Sequence, residues 1–270
     1  MKILLNNNDL NEALSAVSNL GFVPTMGSLH KGHISLIKKS MKECNKTIVS
    51  IFINPTQFNS KKDYKKYPRN NKKDLSILKK LKVNFLYLPK KRDVYAYKNK
   101  KKIKLKDSEK ILCAKYRKGH FEGVIDVMNR LTKMINPSKI YMGEKDQQQL
   151  LLVKKHIEKN HKSKIISCKT IRNKNKLALS SRNFLLIKAD LKKAEKIAKN
   201  LLLFKKRLTS GKNLKKIIFD KKKELIKNYN INIEYLELRN KNDLKISNNI
   251  KNSNLFTAYY INKIRLIDNF

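Results

Sequence analysis

Two histidines three residues apart, His30 and His33, stand in the segment VPTMGSLHKGH at residues 23–33. At that spacing they share one face of a helical turn, and the apolar residues ahead of them read as a strand running into a helix that begins near Lys31. Gly27 and Gly32 permit tight backbone passage, and unpaired amides at a helix N-terminus receive phosphate oxygens. Paired imidazoles there can donate hydrogen bonds to a polyphosphate and stabilise charge as pyrophosphate leaves. An isolated HxxH is more simply two surface or capping histidines; its weight depends on the segments that follow.

Three of these carry compatible chemistry. SIFINPTQF at residues 50–58 ends an apolar run in Asn54, Thr56 and Gln57; a side-chain amide at a strand end can orient a hydroxy acid, although Asn54-Pro55 also reads as a plain turn. PSKIYMGEKDQQQL at residues 137–150 again runs from strand through Gly143 into a helix. Lys145 there can neutralise phosphate charge, Asp146 can bind ribose hydroxyls or cap the helix, and Gln149 projects from its first turn. LALSSRN at residues 177–183 offers Ser180, Ser181 and a rare arginine, Arg182, whose guanidinium fork suits phosphate oxygens. YPRN at residues 67–70 and RKGHFEGV at residues 117–124 are not assigned a role on chemistry alone.

These segments need elements to position them. Apolar runs at residues 21–25, 47–53, 83–88, 139–142 and 164–168 read as buried strands, with helix-length stretches at 34–43, 71–81, 124–135 and 147–159 between them. Alternation of strand and helix predicts a parallel sheet covered on both faces, with ligands at the carboxyl ends of its strands. After about residue 175 the pattern changes to helices at 188–208 and 214–227 followed by strands at 231–238 and 255–260 and a terminal IRLIDNF. The expected fold is therefore α/β: a Rossmann-like domain over residues 1–175 and a smaller C-terminal α+β domain over residues 176–270. The lysine-rich stretches at 61–66 and 98–106 read as solvated loops.

The net charge of +43 invites a nucleic-acid or membrane-surface reading. Only nine of the 64 basic residues are arginine, however, and the lysines are spread through every segment beside abundant Asn and Ile. That distribution fits codon drift in an A/T-rich genome, which the nucleotide sequence would test, better than a basic face with aromatic stacking partners. Specific nucleic-acid binding is not expected. Cys44, Cys113 and Cys168 are far apart with no CxxC, so neither a zinc site nor a disulfide framework is expected. With no run approaching the roughly 20 apolar residues of a membrane span, the expected location is the cytoplasm.

Taken in order, VPTMGSLHKGH, SIFINPTQF, YPRN, RKGHFEGV, MGEKDQQQL, LALSSRN and IRLIDN closely resemble the motifs of the pantoate–β-alanine ligases, nucleotidyltransferase-like enzymes that form adenylates. The seven span residues 23–269. The HxxH element is also similar to the HIGH element of class I aminoacyl-tRNA synthetases, and LSSR to their mobile KMSKS loop. The resemblance implies that pantoate and ATP, carrying Mg²⁺, give pantoyl-adenylate and pyrophosphate, and that β-alanine then releases AMP and pantothenate.

The ATP contacts it implies are Met26, Gly27, Ser28, Leu29, His30, Lys31, Gly32 and His33, then Gly143, Glu144, Lys145 and Asp146, the backbone at Ile171, and Leu179, Ser180, Ser181 and Arg182. It places Gln57 and Gln149 on pantoate, Gln57 and Asn54 on β-alanine, and His33, His30 and Lys145 in catalysis. It names no metal ligands, makes the C-terminal domain a lid, and implies a homodimer. A basic RNA-binding protein on an inherited nucleotidyltransferase scaffold is the alternative. Three departures stand out: Lys31 where an acid is common, Lys118 where Pro is usual, and Asn262 in place of a frequent Gly, which Asn tolerates if the backbone is left-handed there.

Overall fold

In the computed structural model, residues 1–97, 103–211 and 213–270 are described. Six strands form a parallel sheet: β1 (Lys2–Leu4), β2 (Leu20–Thr25), β3 (Lys46–Ile51), β4 (Phe85–Tyr87), β5 (Lys139–Gly143) and β6 (Lys164–Cys168), in the spatial order β1-β4-β3-β2-β5-β6. The helices threaded among them are α1 (Asn7–Leu14), α2 (Lys31–Glu43), α3 (Lys61–Lys66), α4 (Asn71–Lys80), α5 (Lys91–Val94), α6 (Leu112–Tyr116), α7 (His120–Ile135) and α8 (Gln147–Asn160). Strands β2 and β3 are buried almost throughout, because a parallel sheet with helices on both faces leaves neither side to water. One core cluster on this sheet joins Val23, Leu29, Ile37, Val49, Leu78, Leu86 and Tyr141.

The order of strands has one switch point that matters. Strand β2 pairs with β3 on one side and with β5 on the other, so the chain leaves β2 in one direction and returns to its other edge much later. Open α/β sheets bind ligands outside the carboxyl ends of the strands at such a point. In the β2–β5 register, Thr25 and Gly143 end their strands level with each other.

The remaining elements are α9 (Lys188–Arg207), α10 (Leu214–Tyr229) and the antiparallel strands β7 (Asn232–Asn240), β8 (Ser253–Ile261) and β9 (Ile264–Asn269), in the order β7-β8-β9. Their core gathers Leu177, Ala194, Ile197, Leu201, Leu225, Leu236, Leu255 and Tyr259. The β8–β9 turn carries Asn262 at φ +52°, the left-handed conformation that Asn tolerates in place of Gly, and its side-chain amide donates to Asp190 at 2.7 Å. By internal contacts, one compact unit comprises residues 1–144 and 152–169, and the other comprises residues 145–151 and 170–270.

One local expectation changes. Residues 61–66 are not a loop but helix α3, because Ser60 caps them, its hydroxyl accepting from the backbone N–H of Asp63 at 3.0 Å. The stretch 98–106 lies partly outside the described residues. Cys44, Cys113 and Cys168 are buried thiols. Among the described residues no helix is long and apolar enough to cross a membrane.

Candidate active site

Beyond β2 the chain makes a tight left-handed turn, with φ of +77° at Gly27 and +53° at Ser28. The Thr25 hydroxyl accepts from the Gly27 amide at 3.1 Å and donates to the Ser50 carbonyl at 2.8 Å, tying the turn to β3. His30 then caps α2: its Nδ1 accepts from the Gly32 amide at 3.1 Å, while Nδ1 of His33 accepts from the His30 amide at 3.3 Å. The two rings lie 4.0 Å apart between centroids. An imidazole whose Nδ1 accepts a hydrogen bond carries its proton on Nε2 when neutral. Both histidines are thereby set as Nε2–H donors.

The turn differs from the amide cradle expected of a helix entrance. The Ser28 and Leu29 amides each donate to a carboxylate oxygen of Asp74 at 2.7 Å, and those of Gly27, His30 and Gly32 donate to Thr25, His33 and His30. What this segment presents is imidazole rather than a row of amides. Asp74 is 1% exposed, and hydrogen bonds to a charged group are worth about 1.5–3 kcal/mol each, so the carboxylate anchors the turn firmly. Sequence reasoning missed it. The only signal was an acid inside the lysine-rich run NKKDL. The neighbouring YPRN is now explained as well: Tyr67 packs edge-on against Phe58, Arg69 donates to the Tyr64 and Lys65 carbonyls, and Asn70 caps α4, the helix bearing Asp74.

Gln57 lies in a short 3-10 turn, Pro55–Gln57, that Asn54 caps. Its side-chain amide donates to Sδ of Met26 at 2.9 Å and accepts from Asn54 at 3.3 Å. Asn54, 1% exposed, also donates to the Gly123 carbonyl and accepts from the Tyr95 hydroxyl at 2.7 Å. The plain turn and the ligand-orienting amide are thus compatible: Asn54 caps the turn and holds Gln57. Tyr95, also missed in the sequence, has Arg130 stacked 4.6 Å from its ring centre, and Arg130 is paired with Asp126. Burial pushes the Tyr95 hydroxyl above its ordinary value, which keeps it a protonated donor.

The segment at residues 117–124 buttresses the same turn. The His120 ring and the Arg117 guanidinium both meet the Gln57 carbonyl. Gly123 lets α7 pass so close that a methyl group there would lie 2.5 Å from the Thr56 carbonyl oxygen. Met26, Gly27, Ser28, Leu29, His30, Lys31, Gly32, His33, Asn54, Gln57, Gly143 and Glu144 all belong to the first compact unit. Lys31 is exposed on the first turn of α2, and Glu144 accepts from the Ser167 hydroxyl at 2.5 Å.

Lys145, Asp146, Gln149, Ile171 and Leu179 to Arg182 belong to the second unit. There the Leu179 amide donates to the Ile171 carbonyl at 2.9 Å, bringing those two predicted residues together. Ser180 caps the short turn Ser181–Leu185, accepting from the Arg182 amide. Strand β9 organises the group: Asp268 holds Arg172 in a bidentate pair at 2.7 and 2.9 Å, and the Asn269 side chain donates to the Lys145 carbonyl at 3.0 Å. Lys145 is itself paired with Asp146 at 3.5 Å. The terminal LIDN thus has a job that its sequence did not disclose. Among the described residues no cluster of three or more metal-ligating side chains is present.

The pantoate-beta-alanine ligase family model matches residues 2–270. A pantothenate synthetase of Francisella philomiragia is 40% identical over 97% of this chain and 93% of its own length, and one of Clostridium botulinum is 43% identical over 93% and 91%. Among solved structures, the pantothenate synthetase of Thermus thermophilus superposes with a TM-score of 0.91 at 29% identity, covering 100% of this chain and 99% of that one. The ligase of Francisella tularensis, complexed with beta-gamma ATP and beta-alanine, gives 0.85 at 38% identity, covering 100% and 97%. The RNA-binding alternative finds no support in these comparisons.

Proposed function

Since the chain belongs to the pantoate–β-alanine ligase family, we propose that it condenses pantoate with β-alanine through a pantoyl-adenylate, with ATP entering as its Mg²⁺ complex. A carboxylate oxygen of pantoate attacks the α-phosphorus and pyrophosphate leaves. The β-alanine amine then attacks the acyl carbon and AMP leaves with that oxygen. No enzyme nucleophile is required.

The observation that carries this reading is the orientation of His30 and His33. With both Nδ1 atoms accepting backbone N–H groups, each neutral ring offers Nε2–H, a donor suited to the charge gathering on departing pyrophosphate. In that tautomer the one lone pair of His33 is on Nδ1 and is taken up by the His30 amide, so the Nε2 edge acts as a donor rather than a base. Lys145 and Arg182 supply cationic donors to the phosphates, and Asp146 an acceptor for ribose. Glu144, Gly143, the Ile171 backbone and residues 26–33 and 179–182 complete the nucleotide contacts. Gln57 and Gln149 hold pantoate; Gln57 serves β-alanine too, with Asn54 acting on it by fixing the Gln57 amide. The Francisella tularensis relative, solved with beta-gamma ATP and beta-alanine, supports the substrate assignment. We further propose the family's homodimer, a cytoplasmic location, and a lid role for the C-terminal domain.

Pantoate-dependent exchange of labelled pyrophosphate into ATP, measured without β-alanine, tests the scheme. His33→Ala and Lys145→Ala are each expected to slow exchange by about 10². Absence of exchange in the folded wild-type protein contradicts the adenylate, and near-normal exchange in both variants contradicts the roles given to these residues.

A further inference from the structure

The geometry points to Asp74 as a positioning residue for the adenylation step, holding the turn between β2 and α2 so that His30 and His33 face the phosphates; this rests on the roles proposed above for the two histidines. Three observations converge on it. The carboxylate is buried and each of its oxygens receives one backbone N–H, from Ser28 and from Leu29, at 2.7 Å. Those amides belong to a turn in which Gly27 and Ser28 are both left-handed, a conformation that serine adopts only when its surroundings impose it. Finally, the turn leads directly into the N-cap at His30, in extended conformation at φ –140°, from which both imidazole orientations follow.

The arrangement also decides what the turn can bind. Amides at a helix entrance ordinarily attract phosphate, yet here a fixed anion already occupies those of Ser28 and Leu29. A second anion could take them only by displacing the carboxylate, so these two amides are closed to the nucleotide while the imidazoles that follow are placed to meet it. Gly27 fits the same account: a methyl group there would sit 3.0 Å from the Asp74 carboxylate, in a backbone region that already disfavours one. Asp74 touches no reacting atom in this scheme. It acts through the turn.

Asp74→Asn keeps the size but replaces one acceptor with an amide N–H₂ that opposes a backbone donor. Loosening a loop by about 1 Å costs on the order of 10²-fold in rate, so the maximal rate of pantoate-dependent pyrophosphate exchange is expected to fall about 10- to 100-fold, while the KM for β-alanine in the complete reaction stays unchanged. In imidazole ¹H–¹⁵N spectra, the His30 and His33 signals are expected to shift while those of His156 and His161, on α8 and just beyond it, stay in place. A folded variant with unshifted His30 and His33 signals, or with wild-type exchange, overturns the proposal.

A measurement on the unaltered protein stands beside it. The Ser28 and Leu29 amides should exchange slowly with solvent in the absence of nucleotide, and stay slow when ATP is added. Rapid exchange in the free protein overturns the proposal whether or not the variant folds. Should the wild-type protein show no pyrophosphate exchange at all, the adenylation scheme fails, while the imidazole shifts and amide protection still report whether Asp74 sets the turn.

Discussion

The Nδ1 atom of His120 lies 2.6 Å from the carbonyl oxygen of Gln57, 63 residues earlier in the chain. With Arg117 reaching the same oxygen at only 3.4 Å, the imidazole is the principal brace on the backbone of the residue proposed to hold pantoate. His120→Ala removes it from a buried position. Loss of a buried hydrogen bond costs about 1–2 kcal/mol, so the KM for pantoate should rise roughly tenfold, while the KM for ATP changes little. Steady-state kinetics with each substrate varied in turn will show whether the effect is confined to the acid.

Gly123 makes a different demand on the same turn. Helix α7 runs against the backbone of Thr56 and Gln57 with no room for a methyl group, and neither backbone can yield without moving Asn54, whose amide donates to the Gly123 carbonyl. Gly123→Ala should therefore destabilise the fold by about 1–3 kcal/mol, the usual range for overpacking, and raise the KM for pantoate as well. Urea unfolding together with pantoate kinetics checks both halves.

A third prediction concerns pH and lies away from the substrate residues. Burial, and then the charge of Lys159, push the His156 imidazole below its ordinary value, with Glu109 pulling the other way; burial, His156 and Lys133 push His161 down. His161 is also bonded to Asn129 at 2.7 Å. Because both folded-state values are depressed, the unfolded chain takes up protons first as pH falls, and stability contributed by the neutral rings is lost through the imidazole range. The denaturant midpoint should fall between about pH 7.5 and about pH 5.5. In a His156→Gln, His161→Gln double variant the fall should be smaller.

Local signals survived translation into three dimensions better than distant ones did. Strand β6 matches its apolar run at residues 164–168, and β2 and β5 differ from theirs by a single residue at one end. A buried parallel strand is a continuous hydrophobic stretch and needs no partner to be recognised. Strand β1 went unseen because it has three residues and runs straight into polar Asn6 to Asn8. The motif residues were legible by type and order. Their supports were not: Asp74 lies 45 residues from Leu29, Tyr95 41 from Asn54, and Asn269 124 from Lys145. No periodicity announces such a pairing. Asn54 shows the limit most clearly, since only the folded chain shows one side chain serving as turn cap, as brace for Gln57 and as partner of Tyr95.

In the proposed reaction pantoate is activated by bonding its own carboxylate oxygen to the α-phosphorus of ATP. This step is tested most directly by supplying pantoate labelled with ¹⁸O in the carboxylate, together with ATP, Mg²⁺ and β-alanine, and following the products by mass spectrometry. The AMP formed should carry one ¹⁸O atom and the pyrophosphate none. Pantothenate formed with unlabelled AMP, or with the label in phosphate or pyrophosphate, would contradict it.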